Sequence, residues 1–542
     1  MFAVPEHHPS LLAGALLLLP PLLLLLLLLY LYATWTHGHW SALGVPCPSP
    51  PVPLFGHAMP SMLGRMHFMD VLHDLYRALG DRRFGGIYTM RTPQLLVKDP
   101  ELIGECGVTM TITANGRPRL LVLPVFFRCH ILIKDFNNFT DRGLYAGTHT
   151  NPLNNNIFFT RGERWKTMRQ KLSPTFTANK LKYMNEQVKE CTDSLLSTIG
   201  RTVREVADRI EIRDMMAKYS TDVIGSCAFG LKLDAINDPD SEFRKHGKTV
   251  FQPSLRSKIR VAVIFMQPSL LGIFRVHHYS HRTITFFRDA FRQTIEHRQR
   301  TNEDRKDFVH HLMKAREDLV LNPDLKPEEK FTEMDIVANA YILFIAGFET
   351  VSTSMSFCMY ELALRKDVQD KVRKEIMEVK AKHNGEMNSE CLNELPYMGM
   401  VIKETLRKYP PLVTLNRVVT KPYVLPGTAV KLKTGTKIVI PVHAIHYDPK
   451  YYADPEAFEP DRFSDENVHN LHPNTYMPFG DGPRFCIGKR FAEFEMKMAL
   501  SEVLINYEVT PCEKTQIPIK YVIGSFVNIP ESIWLKFKKL DT

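Results

Sequence analysis

The stretch that decides the fold lies near the C-terminal end and reads Phe479-Gly480-Asp481-Gly482-Pro483-Arg484-Phe485-Cys486-Ile487-Gly488. It leads into a helical pattern over residues 489–504. Glycines let a backbone approach a flat cofactor closely. A cysteine just before a helix N-terminus faces oriented amide donors, which lower the thiol pKa and favour the thiolate that iron binds. Cys486 is therefore a candidate metal ligand, although a cysteine beside glycine is on its own more often a structural thiol.

Two helical motifs upstream pair groups that can interact. In Lys403-Glu404-Thr405-Leu406-Arg407, the carboxylate of Glu404 and the guanidinium of Arg407 share one helical face and can form an ion pair. In isolation that pattern is typical of a surface salt bridge. In Trp165-Lys166-Thr167-Met168-Arg169, an indole N–H and a guanidinium lie about one turn apart, and both suit a carboxylate partner.

A third motif, Ala346-Gly347-Phe348-Glu349-Thr350, lies within an otherwise apolar helix. Gly347 removes a side chain, and Thr350 can compete for backbone hydrogen bonds. The motif therefore predicts a local kink with room for water. The alternative is an ordinary buried helix that tolerates a glycine.

Taken together, these motifs resemble the cytochrome P-450 family. The cysteine loop closely resembles its haem-binding signature, with every defining position filled: Phe479, Gly480, Gly482, Arg484, Cys486 and Gly488. The match reverses the reading of Cys486 as a structural thiol. It implies that the Cys486 thiolate is the axial ligand of iron in haem b (iron protoporphyrin IX). Glu404 and Arg407, with Arg462 of Phe458-Glu459-Pro460-Asp461-Arg462-Phe463, look like the family's buried structural triad.

The resemblance also implies roles for residues outside the loop. Glu349 and Thr350 match the catalytic positions that deliver protons during oxygen activation. The cofactor-binding residues that the resemblance implies are Cys486, Trp165, Arg169, Arg417, Arg484, Phe479 and Gly347. For Arg417 a plain exposed arginine is the alternative.

The fold implied by the resemblance is mainly α with a small β-region, of the cytochrome P-450 type, behind a single N-terminal transmembrane helix. The implied reaction inserts one oxygen atom from O2 into a lipophilic small molecule. Electrons would come from NADPH through a flavoprotein reductase, docking near Lys489 and Arg490, with Lys166 and Lys171 contributing. Cytochrome b5 is a further implied partner. Within the family, the sequence most closely resembles the microsomal, foreign-compound-metabolising branch that is abundant in insects.

Composition agrees with a large protein that faces the cytosol. The chain has 542 residues, 44% hydrophobic content and a net charge of +10. Lys and Arg are scattered, and no Cys/His finger spacing or basic-aromatic run is present, which argues against nucleic-acid binding. The nine cysteines form no CxxC pair and are predicted to be reduced.

The N-terminal sequence predicts a membrane anchor. Residues 11–31 are uncharged and leucine-rich, long enough to cross a bilayer as a helix. A retained anchor is favoured over a cleaved signal peptide, because no small-residue cleavage pattern follows. Trp35 and Trp40 are read as interfacial residues. We expect an anchor over 1–43, a proline-rich hinge over 44–56 and the monooxygenase domain over 57–542, on the cytosolic side of the endoplasmic reticulum membrane.

Residues 104–130 depart from the family pattern. The segment Asp99-Pro100-Glu101-Leu102-Ile103 normally continues directly into one like Ile131-Leu132-Ile133-Lys134-Asp135-Phe136. The insertion would interrupt this helix just ahead of the loop expected over the substrate. Our hypothesis is intron-derived sequence or a gene-model error, and the alternative is a real surface loop. Sequencing the spliced transcript tests this, because reads that all contain codons 104–130 would refute the hypothesis.

Two alternative functions stay open at this stage. One is a haem-thiolate isomerase or dehydratase that needs neither O2 nor a reductase, although Glu349 and Thr350 speak against it. The other is an inactive product whose folding the insertion prevents. Residues 258–266 mix basic and apolar residues and would either dip into the bilayer surface or form a plain core helix.

Overall fold

The computed structural model describes residues 9–541, apart from positions 105, 115–116, 128–129, 145–146, 149–150, 178–179, 181, 239, 252–279, 302–304, 306, 321–330 and 526. Helices dominate, which confirms the prediction of a mainly α fold with a small β-region. The helices are α1 Pro9–Thr34, α2 His39–Ala42, α3 Met59–Met62, α4 Phe68–Ala78, α5 Pro100–Ile103, α6 Gly162–Leu172, α7 Asn185–Glu205, α8 Ile212–Ile224, α9 Glu242–Phe251, α10 His281–Thr301, α11 Phe308–Val320, α12 Glu333–Leu364, α13 Lys366–Lys382, α14 Pro396–Lys408, α15 Val442–His446 and α16 Lys489–Asn506.

The strands form two small sheets and two hairpins in the described part of the chain. The strands are β1 Phe84–Thr89, β2 Thr92–Val97, β3 Cys106–Ala114, β4 Arg117–Phe127, β5 Arg209–Glu211, β6 Leu415–Val418, β7 Tyr423–Val424, β8 Lys431–Leu432, β9 Lys437–Ile440, β10 Tyr507–Pro511 and β11 Trp534–Lys539. The larger sheet has the order β1-β2-β9-β6, in which only the β2–β9 pair is parallel. A second sheet has the order β10-β11-β5, and β3–β4 and β7–β8 are antiparallel hairpins.

Helix α12 runs through the centre of the domain and organises its core. It begins with a capping box, in which the Thr332 hydroxyl accepts from the Asp335 N–H and the Asp335 carboxylate accepts from the Thr332 N–H. It is long and apolar enough to cross a membrane, but 72% of its most apolar stretch is buried inside the protein. It is therefore the core helix that the apolar pattern predicts, packed against α8, α10, α14 and α16.

Helix α1 contains the predicted anchor and extends slightly beyond it at both ends. Its leucines from Leu19 to Leu31 are each more than half exposed, as a lipid-facing surface requires. The interpretation of Trp40 as an interfacial residue is wrong, because its side chain is fully buried in the core beside the larger sheet. Its indole N–H donates to the Ile87 carbonyl at 3.2 Å, and its ring lies where a side chain at Gly86 would be.

The insertion forms a hairpin between α5 and a short π-helix, His130–Lys134. The hairpin interrupts the helix that would otherwise continue from α5 into residues 131–136, as the sequence predicts. On either side of the hairpin, Leu102, Ile103, Ile131 and Leu132 are fully buried. The domain core therefore closes around the insertion site. The predicted bilayer-surface segment at 258–266 lies outside the described residues.

Candidate haem site

The cysteine loop is a tight turn, and its Cys486 lies three residues before the start of α16. The Cys486 N–H donates to the Phe479 carbonyl at 2.8 Å, and the Phe485 N–H donates to the Gly482 carbonyl at 2.9 Å. Gly480 and Gly482 have φ of +72° and +67°, which favour glycine. The Cys486 side chain retains accessible surface although the residue lies deep in the domain. This is the environment expected of a thiol that faces an internal space.

The pKa of Cys486 is raised, which differs from the sequence-based expectation. Burial is the main cause, because an apolar environment penalises the charged thiolate. The Gly488 N–H, Arg169 and Arg142 all act in the predicted direction and lower the pKa, but they do not offset burial.

Four arginines converge around this loop. The Arg169 guanidinium donates to the Phe485 carbonyl at 3.0 Å, and the Arg142 guanidinium donates to the Arg484 carbonyl at 3.2 Å. Arg484 and Arg417 are 3% and 2% exposed. Burial and repulsion from the other arginines lower the pKa of Arg484 to about 8. The group therefore holds more positive charge than its surroundings compensate.

Backbone carbonyls accept from these cations, as when the Arg484 guanidinium donates to the Thr140 and Thr160 carbonyls at 2.8 and 2.9 Å, but few carboxylates neutralise their charge. The nearest carboxylate to Arg484 is Asp141, at 3.6 Å. The Nε atom of Arg417 is buried without a hydrogen-bond partner, and burial, followed by repulsion from Arg142, lowers the pKa of Arg417 to about 9. Unpaired buried cations are costly unless an anion joins them. A ligand carrying carboxylates, such as the two propionates of haem, fits this donor set.

Trp165 and Arg417 are both buried beside this group of arginines, and their contact with a cofactor stays a prediction. The Trp165 ring is buried, and the Arg484 guanidinium stacks over it at 4.0 Å. The alternative of an exposed Arg417 is excluded by its burial. The Phe479 ring is partly buried, with the Lys489 ammonium 5.6 Å from its centre.

The α12 motif separates its side chains onto different faces. Ala346 is exposed although most of α12 is buried, so the helix has accessible surface at this position. The Thr350 hydroxyl donates to the Ala346 carbonyl at 2.6 Å, which is the predicted competition for a backbone acceptor. Glu349 is 1% exposed and forms an ion pair with Arg213 of α8 at 3.1 Å.

Gly347 is needed for packing against a neighbouring helix. A Cβ at Gly347 would lie 3.0 Å from Cδ1 of Ile224, at the contact between α12 and α8. The helix is continuous from Glu333 to Leu364, so the predicted kink does not interrupt it. Contact of Gly347 with the cofactor stays a prediction.

The triad beneath the loop is formed as the sequence predicts. The Arg407 guanidinium donates to both carboxylate oxygens of Glu404 at 2.7 and 2.8 Å, and Arg462 reaches the same carboxylate at 3.4 Å. Glu404 and Arg407 are fully buried. Further hydrogen bonds from Arg407 to the His446 and Ala457 carbonyls tie α14 to the chain leading into the loop.

Sequence reasoning missed three charged residues of this region. Arg142 stands in the segment Phe139-Thr140-Asp141-Arg142-Gly143, to which the sequence motifs assign no role. Arg213 lies in α8, far from the motifs, and Glu495 lies in α16, nine positions after Cys486. Nothing in the local sequence of either residue indicates which groups it meets. The Glu495 carboxylate is buried and accepts from the Ser220 hydroxyl at 2.6 Å.

A mainly helical domain with a buried central helix, a glycine-bounded cysteine loop and a buried Glu-Arg-Arg triad has the architecture of the haem-thiolate proteins. Residues 105–537 match the family model described as cytochrome P450. The chain belongs to the cytochrome P450 family.

The chain's relatives include insect proteins along almost their whole length. It is 37% identical to "Probable cytochrome P450 6a13" of Drosophila melanogaster over 95% of this chain and 97% of the relative. It is 35% identical to "Cytochrome P450 6k1" of Blattella germanica, over 92% of each chain, and 33% identical to "Cytochrome P450 9e2" of the same species, over 93% and 95%. The family is one of haem-thiolate monooxygenases, so the enzyme class expected from the sequence is confirmed.

Proposed function

We propose that this monooxygenase oxidises lipophilic small molecules, foreign compounds among them. The anchor would hold it in the endoplasmic reticulum membrane with the catalytic domain on the cytosolic side, and NADPH would supply electrons through a flavoprotein reductase. The observation that carries the proposal is the set of uncompensated buried arginines around the Cys486 loop. The insect relatives support the assignment to the foreign-compound-metabolising branch of the family.

The chain's own residues would divide the work of binding the cofactor. Cys486 would bind the haem iron as a thiolate, and Trp165, Arg169, Arg417 and Arg484 would hold the propionates by donating hydrogen bonds. Binding of two carboxylates would offset the repulsion that lowers the arginine pKa values. When bound, haem supplies the iron that activates O2 for transfer of one oxygen atom to the substrate.

Thr350 and Glu349 of α12 would bind and transfer protons during the reaction. The Thr350 hydroxyl, held by the Ala346 carbonyl, lies on a partly accessible part of α12 and can pass a proton along a short hydrogen bond. Glu349 is held by Arg213, so it would contribute a proton only when that ion pair opens. Exposed Ala346 leaves apolar room beside the hydroxyl, which suits a lipophilic substrate.

A reduced carbon monoxide difference spectrum on membranes containing the chain tests the proposal. A thiolate-type Soret shift is the expected result, and it should be lost in Cys486→Ser and kept in Cys512→Ser, which changes a partly buried thiol after β10. NADPH oxidation with added reductase then separates a monooxygenase from an isomerase or dehydratase. Absence of haem from the unaltered protein would contradict the proposal.

A further inference from the structure

The end of the anchor helix is packed against the turn between β1 and β2. The Thr36 hydroxyl donates to the Arg91 carbonyl at 2.6 Å, and the Arg91 guanidinium stacks over the Tyr32 ring, with Cζ 3.8 Å from the ring centre. Tyr32 directly follows the uncharged run of the anchor, which ends at Leu31. With α1 in a bilayer, Arg91 therefore lies at the level of the lipid headgroups, where tyrosine rings and basic side chains are stable.

A second basic residue lies at the same edge of the larger sheet. Strands β2 and β9 run parallel, with Gln94 opposite Lys437, so the turns that precede the two strands lie at one edge. Arg91 stands in the first of these turns, three positions before Gln94, and Lys433 stands in the second, four positions before Lys437. The sheet therefore brings together two cations that are more than 300 residues apart in the chain.

Both cations lie beside the loop that leaves the anchor. Burial lowers the pKa of His37 and of His39, and repulsion from Arg91 and from Lys433, respectively, lowers it further. Because the two histidines are two positions apart, the two cations flank one short loop. Trp35, at the start of this loop, is 81% exposed, as expected of a residue at a membrane interface.

This edge of the protein carries positive charge without neighbouring carboxylates. Residues 34–69, 84–97 and 419–447, which form the loop, the β1–β2 hairpin and the chain around β7, β8 and β9, contain neither Asp nor Glu. Within the part of the chain that the structure describes, the Nε atom of Arg91 is buried without a hydrogen-bond partner. Lys433 is exposed. The edge therefore suits a ligand that brings negative charge from the membrane side.

We propose that Arg91 and Lys433 form a site for the headgroup phosphate of an anionic phospholipid, in the leaflet nearer the catalytic domain. The proposal rests on the part of the proposed function that places α1 in a membrane. Between the anchor and Arg65 the chain has no Lys or Arg, so the linear sequence lacks the positive charge that usually flanks the cytosolic end of an anchor. The fold supplies that charge from two turns of the sheet. An anionic headgroup is favoured over a zwitterionic one because each basic residue near the surface adds attraction for negative lipid.

Tryptophan quenching measures this lipid preference in the full-length protein. Phosphatidylcholine nanodiscs would contain a small fraction of either phosphatidylserine or phosphatidylcholine brominated close to the headgroup, which quenches nearby tryptophans. At equal fractions, brominated phosphatidylserine should be enriched beside Trp35 about 5-fold or more, because one basic residue near a membrane surface contributes about that factor. Trp35→Phe should remove the difference between the two lipids, since Trp40 is buried in the core.

The two cations are tested together and singly. Arg91→Gln/Lys433→Gln should abolish the enrichment, whereas Arg91→Lys, which keeps the charge, should retain most of it. Lys433→Gln alone changes an exposed turn residue and should give a partial loss. Equal melting temperatures show that the variants fold.

Lys538→Gln/Lys539→Gln is the matched control. These exposed lysines lie in β11, which belongs to the other sheet. Removing their charges should leave the enrichment unchanged, because the variant loses the same net charge away from the anchor.

Several results would overturn the proposal: equal quenching by the two lipids in the unaltered protein, enrichment that survives in Arg91→Gln/Lys433→Gln, or an equal loss in the lysine control. Inorganic phosphate in solution should displace the lipid no better than chloride at the same ionic strength. Displacement by phosphate alone would assign the site to a soluble phosphate compound. Protein that does not co-isolate with the nanodiscs would overturn the anchor and this site together, whereas a missing carbon monoxide band would contradict only the enzyme assignment.

Discussion

At the scale of single residues, the candidate site is a balance of buried charges. Arg142, Arg169, Arg417 and Arg484 repel one another and lie near few carboxylates, whereas Glu404 and Arg407 satisfy each other completely. The first set suits a ligand that brings negative charge, and the second suits a structural role. The sequence motif alone does not separate these cases, because an arginine has the same side chain in both.

Arg417→Gln should have opposite effects on the two states of the protein. Without haem, it removes a buried cation that is repelled by Arg142 and whose Nε has no partner, and it should raise the free energy of unfolding by about 1–2 kcal/mol. With haem, it removes a propionate donor and should speed haem loss about tenfold. Chemical unfolding of the haem-free protein measures the change in the free energy of unfolding, and haem transfer to apomyoglobin measures the rate of haem loss. Arg82→Gln, at an exposed position, should change neither; a loss of haem-free stability in Arg417→Gln would contradict the argument.

Thr350→Ala should uncouple NADPH consumption from product formation. The hydroxyl that donates to the Ala346 carbonyl is the group proposed to pass protons, so product per NADPH should fall about tenfold or more, while haem binding is retained. Thr350→Ser should restore most of the coupling. Ser354→Ala removes a similar hydroxyl one turn further along α12 and should have little effect. Unchanged coupling in Thr350→Ala would refute the assigned role.

Glu495 should make stability depend on pH. Burial raises its pKa to about 8 from an ordinary 4.5, so the folded state holds a proton that the unfolded chain releases between these values. The free energy of unfolding should therefore fall as the pH rises through this window, and level off above it. In the unaltered protein this fall should amount to a few kcal/mol between pH 5 and 8, and Glu495→Gln should remove most of it. Unfolding curves at several pH values measure it, and Glu493→Gln, on the same helix, should keep the wild-type profile.

At the scale of elements, Gly347 sets how closely α12 approaches α8. Gly347→Ala would push a Cβ to 3.0 Å from Ile224 and should lower the free energy of unfolding by about 1–3 kcal/mol despite the better helix propensity of alanine. Gly399→Ala, in α14, is the matched control. Its Cβ would meet nothing closer than 3.8 Å, so it should be neutral or stabilising. Thermal unfolding compares them, and equal effects would show that packing at Ile224 is not limiting.

The sequence predicts elements well where local pattern decides them, and poorly where distant partners do. The apolar pattern of the sequence predicts the buried α12, and three-residue spacing predicts the Glu404–Arg407 pair. The Glu349–Arg213 pair joins residues 136 positions apart, and no local signal marks it. Trp40 was misassigned because the same side chain suits a lipid interface and a protein core.

At the scale of the whole molecule, the anchor is joined to the body without a free linker. Thr36 donates to the Arg91 carbonyl at 2.6 Å, Trp40 is fully buried, and the Gly86 N–H donates to the Pro46 carbonyl at 2.8 Å. Much of the segment predicted as a separate hinge therefore packs on the larger sheet. A chain starting after Thr34 should fold like the parent, whereas one starting after Gly56 should lose roughly 3–5 kcal/mol or more by removing Trp40. Melting temperatures of the two shortened proteins test this.

The burial of Trp40 six residues after α1 also bears on how two membrane proteins meet. If α1 spans a bilayer, so short and well-packed a connection would hold the body at one orientation to the membrane. A partner confined to the same membrane searches in two dimensions and finds the same face presented at every encounter. Fewer collisions then occur in unproductive orientations.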